Sequence, residues 1–202
     1  DALGVRFTHA HAPFNAASED VQQYRALEAA ALLGAKFIVV HPIHEIDGRI
    51  IVDVEEFIRV NVEATQKLLP YAEKYDLTLL SENILWQASV HPRNIVRLVK
   101  EVNSPRFGWC YDTGHANVHH LSCRELLKCK IPPISLHIQD NHGTYADEPL
   151  MPGDGDIDWK EFLDVLKEIG YKGTMIIERE IWGEQQIKDI NATKIYLEEL
   201  IG

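Results

Sequence analysis

Short β-branched or aliphatic runs alternate along this chain with longer segments whose apolar positions recur at helical spacing. Val5–His11 reads as a strand with Pro13-Phe14-Asn15 as its exit loop. Ser18 then caps a helix marked by Val21, Tyr24, Leu27 and Ala31 and stopped at Gly34. Lys36–His41 is the next strand, and a polar loop from His44 to Arg49 leads to a long helix marked by Val54, Phe57, Ile58, Asn61, Thr65, Leu68, Leu69 and Ala72. Pro70 is expected to kink or restart that helix. Leu77–Asn83 is a strand, Pro92 opens a helix through Ile95, Leu98, Val99 and Val102, and Phe107–Asp112 is a strand that turns at Gly114. A short helix covers Ser122 to Cys129, and Pro132–Gly143 is a strand ending in a dense polar cluster. After the glycine-rich loop Pro152–Asp156, Asp158 caps a helix with Glu161 three residues on; its stripe is Trp159, Phe162, Leu163, Leu166 and Ile169. Gly173–Glu180 is the last strand, and Ile187, Ile190, Leu197 and Ile201 mark a final helix.

Strands that are apolar on both faces, alternating with helices and free of hairpin signals, predict an α/β fold with a parallel sheet covered by helices. Six strands are legible, whereas a closed (β/α)8 TIM barrel needs eight and typically ~250 residues. We expect one domain over residues 1–202, an N-terminal βα unit missing from it, and an irregular strand within Thr144–Leu150. The chain begins without Met and opens almost directly into a strand, so native sequence is expected upstream.

Composition narrows the function. The 202 residues are 46% apolar and 25% charged, as in ordinary globular domains. A net charge of −11 argues against a surface for nucleic acid or anionic lipid. No run approaches the ~18 apolar residues of a membrane span. Cys110, Cys123 and Cys129 are odd in number and lack CxxC spacing, which points to a reducing compartment, the cytoplasm, rather than to disulfides or a thiolate zinc site.

Taken at their C-terminal ends, the six strands present His11, His41, Glu82, Asp112, His137 and Glu178. A parallel barrel gathers those ends on one face, where such folds place their active sites. Carboxylates crowded into one pocket repel each other, and a cation relieves that repulsion. Three carboxylates and one imidazole form an oxygen-rich set that favours Mn2+ or Mg2+ and accommodates Zn2+ or Co2+. Such an ion polarises a carbonyl while a neighbouring carboxylate removes the adjacent carbon-bound proton to give an enediolate. Blander readings stand beside this one: Asp112 as a turn or N-cap residue, His11 and His41 as core histidines, Glu178 paired with Arg179 or Arg6.

The ordered set His41-Pro42, Glu82-Asn83, Asp112-Thr-Gly-His115, His137-Ile-Gln-Asp140-Asn141, Pro152-Gly-Asp-Gly-Asp-Ile-Asp-Trp159 and Ile176-Ile-Glu178 resembles the xylose-isomerase-like barrel superfamily of sugar (phosphate) isomerases and epimerases, which also contains barrel-type apurinic (AP) endonucleases. The resemblance runs from about Val5 to the C-terminus. It implies a single metal on Glu82, Asp112, His137 and Glu178, with Glu82 and Glu178 also exchanging the substrate proton from opposite sides. His115 would steady the developing oxyanion. His11 and His41 match positions that hold further zinc ions in the endonucleases and substrate or solvent in the sugar enzymes.

Two departures matter. Asp147-Glu148-Pro149 stands where many members carry Asp-x-His, which leaves a three-metal nuclease site short of a ligand. His142-Gly143 stands where some ketose epimerases place an Arg. Asn83, Asp147, Trp86 and Trp182 are further candidates to line the sugar pocket, the two tryptophans as apolar walls. The expectation is a metal-dependent isomerase or epimerase of a small sugar, sugar phosphate or polyol. An inosose-type dehydratase on the same site, a DNA-repair nuclease, and a metal-free binding protein on the same barrel are the alternatives. No nucleic-acid or membrane partner is expected, and a homo-oligomer is compatible with the sequence.

Overall fold

The structure, a computed structural model, describes residues 4, 6–16, 21–144, 148–179 and 183–201. Ser18, expected to cap the first helix, and Asp147 and Trp182, expected at the pocket, lie outside the described residues.

Strands β1 (His9–Asn15), β2 (Phe37–His41), β5 (Thr78–Glu82), β6 (Phe107–Asp112), β7 (Ser135–Ile138) and β8 (Thr174–Ile177) form one parallel sheet in that order. This is a six-stranded arc of TIM-barrel type. Helices α1 (Val21–Leu32), α2 (Val54–Lys74), α4 (Pro92–Val102), α6 (Trp159–Glu168) and α7 (Glu184–Ile201) connect or follow the strands, with short helices α3 (Gln87–Val90) and α5 (Thr113–Val118) and a 3-10 turn at Cys123–Lys128. Among the described residues no helix is long and apolar enough to cross a membrane.

Period-two alternation decides which side chains reach the site. Ile38, Val40, Leu79, Trp109, Tyr111, Leu136 and Ile138 point outward and join the helices in the main core. Val39, Leu80 and Cys110 point inward as a small separate apolar cluster. Two residues further along the same inner face come His41, Glu82 and Asp112, so the inner apolar cluster forms the floor of the polar one.

Several local expectations change. β1 runs on through Pro13 to Asn15, which pairs with His41 after a register irregularity, so His11 lies within the strand rather than at its end. β1 is an end strand of this sheet, where a proline removes no ladder bond that a neighbour needs. The loop after β2 contains a hairpin, β3 (Glu45–Ile46) against β4 (Arg49–Ile50), turned by Asp47 and Gly48 at φ 51° and 76°. Asp-Gly favours this type I′ geometry, so the signal was in the sequence. α2 passes through Pro70 without a break. Of Thr144–Leu150, only Leu150 pairs, in a single antiparallel bridge to Asp140, so the irregular strand is not found among its described residues. In α7, Leu197 is buried, but Ile187, Ile190 and Ile201 are exposed.

Candidate metal centre

Buried amides and a carboxylate, Asn61, Asn83 and Asp140, brace the chain after β2, β5 and β7. Asn61 of α2 clamps the loop after His41, accepting from the Ile43 N–H at 2.7 Å and donating to the carbonyls of Ile43 and Phe57, both at 2.9 Å. Asn83, directly after Glu82, accepts from the Asp112 N–H at 2.8 Å and donates to the Asp112 carbonyl at 3.0 Å. It therefore extends the β5–β6 pairing by one side-chain rung. Expected among substrate contacts, Asn83 is fully buried with both amide groups committed to backbone.

Asp112 unites two readings. Its Oδ1 accepts the His115 N–H at 2.6 Å as N-cap of α5, and its Oδ2 accepts from Gln139 Nε2 at 2.9 Å. A carboxylate offers about four lone-pair positions, so both bonds leave capacity directed into the cluster. Gly114 has no positive φ, so its expected role in supplying the turn is not what requires glycine. A Cβ there would meet Gln139 Cγ and Cδ at 2.6 and 2.7 Å.

Glu82, Asp112 and His137 are buried, and Glu178 is half-buried just past the end of β8. Ligand-type atoms of all four lie within 4.8 Å of one another. That is close to the span of about 4–4.6 Å between donors on opposite sides of one divalent ion. His137 Nδ1 lies 2.8 Å from Glu82 Oε1 and 2.7 Å from Glu178 Oε2. A ring nitrogen carries one hydrogen, so at any moment it serves only one of these two oxygens and the other buried oxygen goes without. Two carboxylate oxygens competing for one ring hydrogen is what a donor set built for a cation, not for a proton, presents. The residues fit a divalent metal ion.

His11 and His41 complete the rim. Their Nε2 atoms lie 3.3 and 3.1 Å from the same Glu82 Oε2, and their rings meet edge-on at 4.7 Å. Their side chains are 37% and 38% exposed, as is that of Glu178 at 38%, so these three form the open side. His11, Glu82 and His137 form a second set of metal-compatible spacing that shares two members with the first. His115 places Nδ1 2.9 Å from the Asn83 carbonyl oxygen, which fixes the hydrogen on Nδ1. Trp86 is exposed and stacks on His44 with ring centroids 5.7 Å apart. Arg179 faces Asp189 at 3.8 Å, and Glu178 turns to His137 instead.

The electrostatics follow from the crowding. Burial opposes charge on Glu82, but the His137 ring and the hydrogen bonds from His11, His137 and His41 outweigh it and hold the carboxyl well below its usual range. Burial likewise opposes charge on His137, yet Glu82 and its other neighbours raise its pKa strongly. Glu178 is lowered, with burial overcome by His137. Asp112 goes the other way: burial first, then the charges of Glu82 and Glu178, push it up to about 7.

The Asp140-Asn141 pair and the Pro-Gly-x-Gly loop belong to the frame. Asp140 is fully buried and accepts from the N–H groups of Asn141, Gly153 and Ile157 and from Trp159 Nε1 at 2.7–3.1 Å. Asn141 bonds the Gly114 carbonyl and accepts from Asn117. Sequence reasoning passed over Gln139, although it sits two residues after His137 and so on the same strand face.

A family model, xylose isomerase-like TIM barrel, matches residues 2–199. The uncharacterized protein MJ1311 of Methanocaldococcus jannaschii is 32% identical over 184 residues, 87% of this chain and 60% of that protein. The inosose isomerase of Bacillus licheniformis is 26% identical over 174 residues, 79% of this chain and 60% of that enzyme. The chain thus spans 60% of the length of these curated relatives. A D-tagatose 3-epimerase-like protein superposes with TM-score 0.81 at 29% identity, over 100% of this chain and 79% of that one. The IOLI protein with a bound zinc atom superposes with TM-score 0.77 at 23% identity, over 95% and 76%, which speaks for the fold. With the match running almost end to end and the parallel arc in place, this chain belongs to the xylose isomerase-like TIM barrel family.

Proposed function

We propose that this chain carries the active site of a divalent-metal-dependent isomerase or epimerase of a small sugar, sugar phosphate or polyol. The observation that carries the reading is the convergence of Glu82 and Glu178 on His137 beside Asp112, with two carboxylate oxygens competing for one ring hydrogen. The fold alone would not select a chemistry. The D-tagatose 3-epimerase-like and inosose isomerase relatives support a ketose or inosose as the substrate class.

Glu82, Asp112, His137 and Glu178 would hold the ion, whose oxygen-rich donor set suits Mn2+ or Mg2+ and accommodates Zn2+ or Co2+. When bound, it would polarise a substrate carbonyl and stabilise the negative charge that builds there. Glu178, the carboxylate on the open side, takes the carbon-bound proton; Glu82, held ionised beneath it, exchanges the proton on the other side. His11 and His41 flank the approach on the open side, where a substrate hydroxyl would replace the Glu82 contact of their Nε2 atoms. Because Nδ1 of His115 is committed to Asn83, Nε2 can donate to an oxyanion only when the ring is doubly protonated. The three free cysteines support a cytoplasmic setting.

The test is solvent exchange in D2O with a panel of ketohexoses and inososes. Glu82→Gln and Glu178→Gln should each abolish deuterium incorporation at the substrate carbon while the circular dichroism stays native. Full exchange in either variant removes that residue as a base. Loss of water from an inosose, read by product analysis, would turn the same site into a dehydratase.

A further inference from the structure

We infer that Gln139 is a positioning residue for the metal centre: its carboxamide locks the plane of Asp112, and Gly114 is glycine to admit it. This rests on the metal-site reading above. Gln139 Nε2 donates to Asp112 Oδ2 at 2.9 Å while the His115 N–H holds Oδ1 at 2.6 Å, so the carboxylate is pinned at both oxygens and cannot rotate. The Gln139 backbone is itself fixed, since Thr113 Oγ1 donates to its carbonyl at 2.6 Å and accepts its N–H at 3.0 Å.

Two further observations say that the carboxamide is there for Asp112. Gln139 is 2% exposed, yet its Oε1 has no partner among the described residues. A buried acceptor left unpaired is unfavourable, and an apolar side chain of similar length would avoid it. The amide is also wedged directly over Gly114, where any Cβ would lie 2.6–2.9 Å from Cγ, Cδ and Oε1. Gly114 sits in the first turn of α5 without positive φ, so alanine is allowed there by the backbone, and the three nearest atoms its Cβ would meet all belong to Gln139.

The partner that orients a ligand typically changes metal affinity by about 10- to 100-fold when it is removed. Mn2+ affinity, followed through the EPR signal of the free ion, reads this without any substrate. Gln139→Met, which keeps the side-chain length, and Gln139→Ala should each weaken Mn2+ binding about tenfold or more. The metal-free Gln139→Met variant should unfold near the wild-type urea midpoint. Gly114→Ala should weaken binding similarly by displacing the carboxamide, and should add nothing in the Gln139→Ala background, a coupling that independent packing defects would not give. Gln139 variants that bind Mn2+ within about twofold of wild type, or additive effects in the Gly114/Gln139 cycle, overturn the inference while leaving the site intact, provided Asp112→Asn is weakened. A wild-type protein that takes up no Mn2+, or an Asp112→Asn variant that binds as tightly as wild type, overturns the metal site and this inference with it.

Discussion

Lowering the pH should loosen the hold of this cluster on a divalent ion far more steeply than simple screening would. In the metal-free chain His137 Nδ1 sits between the oxygens of Glu82 and Glu178 and keeps its proton well above the usual imidazole range, with burial overcome by Glu82. Asp112, buried and close to two other carboxylates, titrates at about 7 and is half protonated there. A metal ion needs these groups deprotonated, so binding near pH 7 should release about one and a half protons. By linkage, affinity should then fall roughly 30-fold per pH unit near pH 7, and about 100-fold per unit lower down, where Asp112 is fully protonated. Isothermal titration of Mn2+ in buffers of different ionisation enthalpy measures the release directly. A release indistinguishable from zero would mean that the ion binds elsewhere, and the reasoning would fail.

Other consequences concern stability. Burial keeps Asp112 protonated up to about 7 against an ordinary 3.8, so over that interval the folded chain binds more protons than the unfolded one. This contribution is most favourable below pH 4 and is lost as pH rises through about 7. Asp112→Asn, which keeps an acceptor for the α5 cap, should therefore exceed the EDTA-treated wild type by about 2–4 kcal/mol at pH 8 and match it near pH 4 in urea unfolding. An Asn variant that is less stable at pH 8 contradicts the assignment. Asp140→Ala leaves three N–H groups and the Trp159 indole without their acceptor and should cost about 3–5 kcal/mol. Its Mn2+ affinity should stay near wild type at temperatures where it is folded; a selective loss of affinity would move Asp140 from frame to site.

The parts of the fold legible in the sequence are those governed by period. Alternation places Leu80 and Glu82, Cys110 and Asp112, and Ser135 and His137 on common faces, and a parallel sheet brings those faces together, so the strand-end carboxylates could be read without coordinates. The buried amides could not. Asn61, Asn83 and Gln139 act on backbone or side chains 18 to 29 positions away, and their spacing carries no local signature. Asp140 was read as part of the polar cluster because adjacency to His137 is visible in a sequence and the four donors that surround it are not. The Asp47-Gly48 hairpin carries a clear turn signal, but its strands, Glu45–Ile46 and Arg49–Ile50, are too short to show alternation. β1 ran past its expected end because a proline that would break an inner strand is tolerated at the sheet margin.

The most direct measurement of the central claim is metal stoichiometry. Purified chain, stripped with EDTA and dialysed against Mn2+, should retain one ion by elemental analysis at neutral pH, with Glu82→Gln, Asp112→Asn, His137→Gln and Glu178→Gln each losing most of it. Retention of a full equivalent by these four variants, or none by the wild type, would show that their convergence in the fold serves something other than a cation.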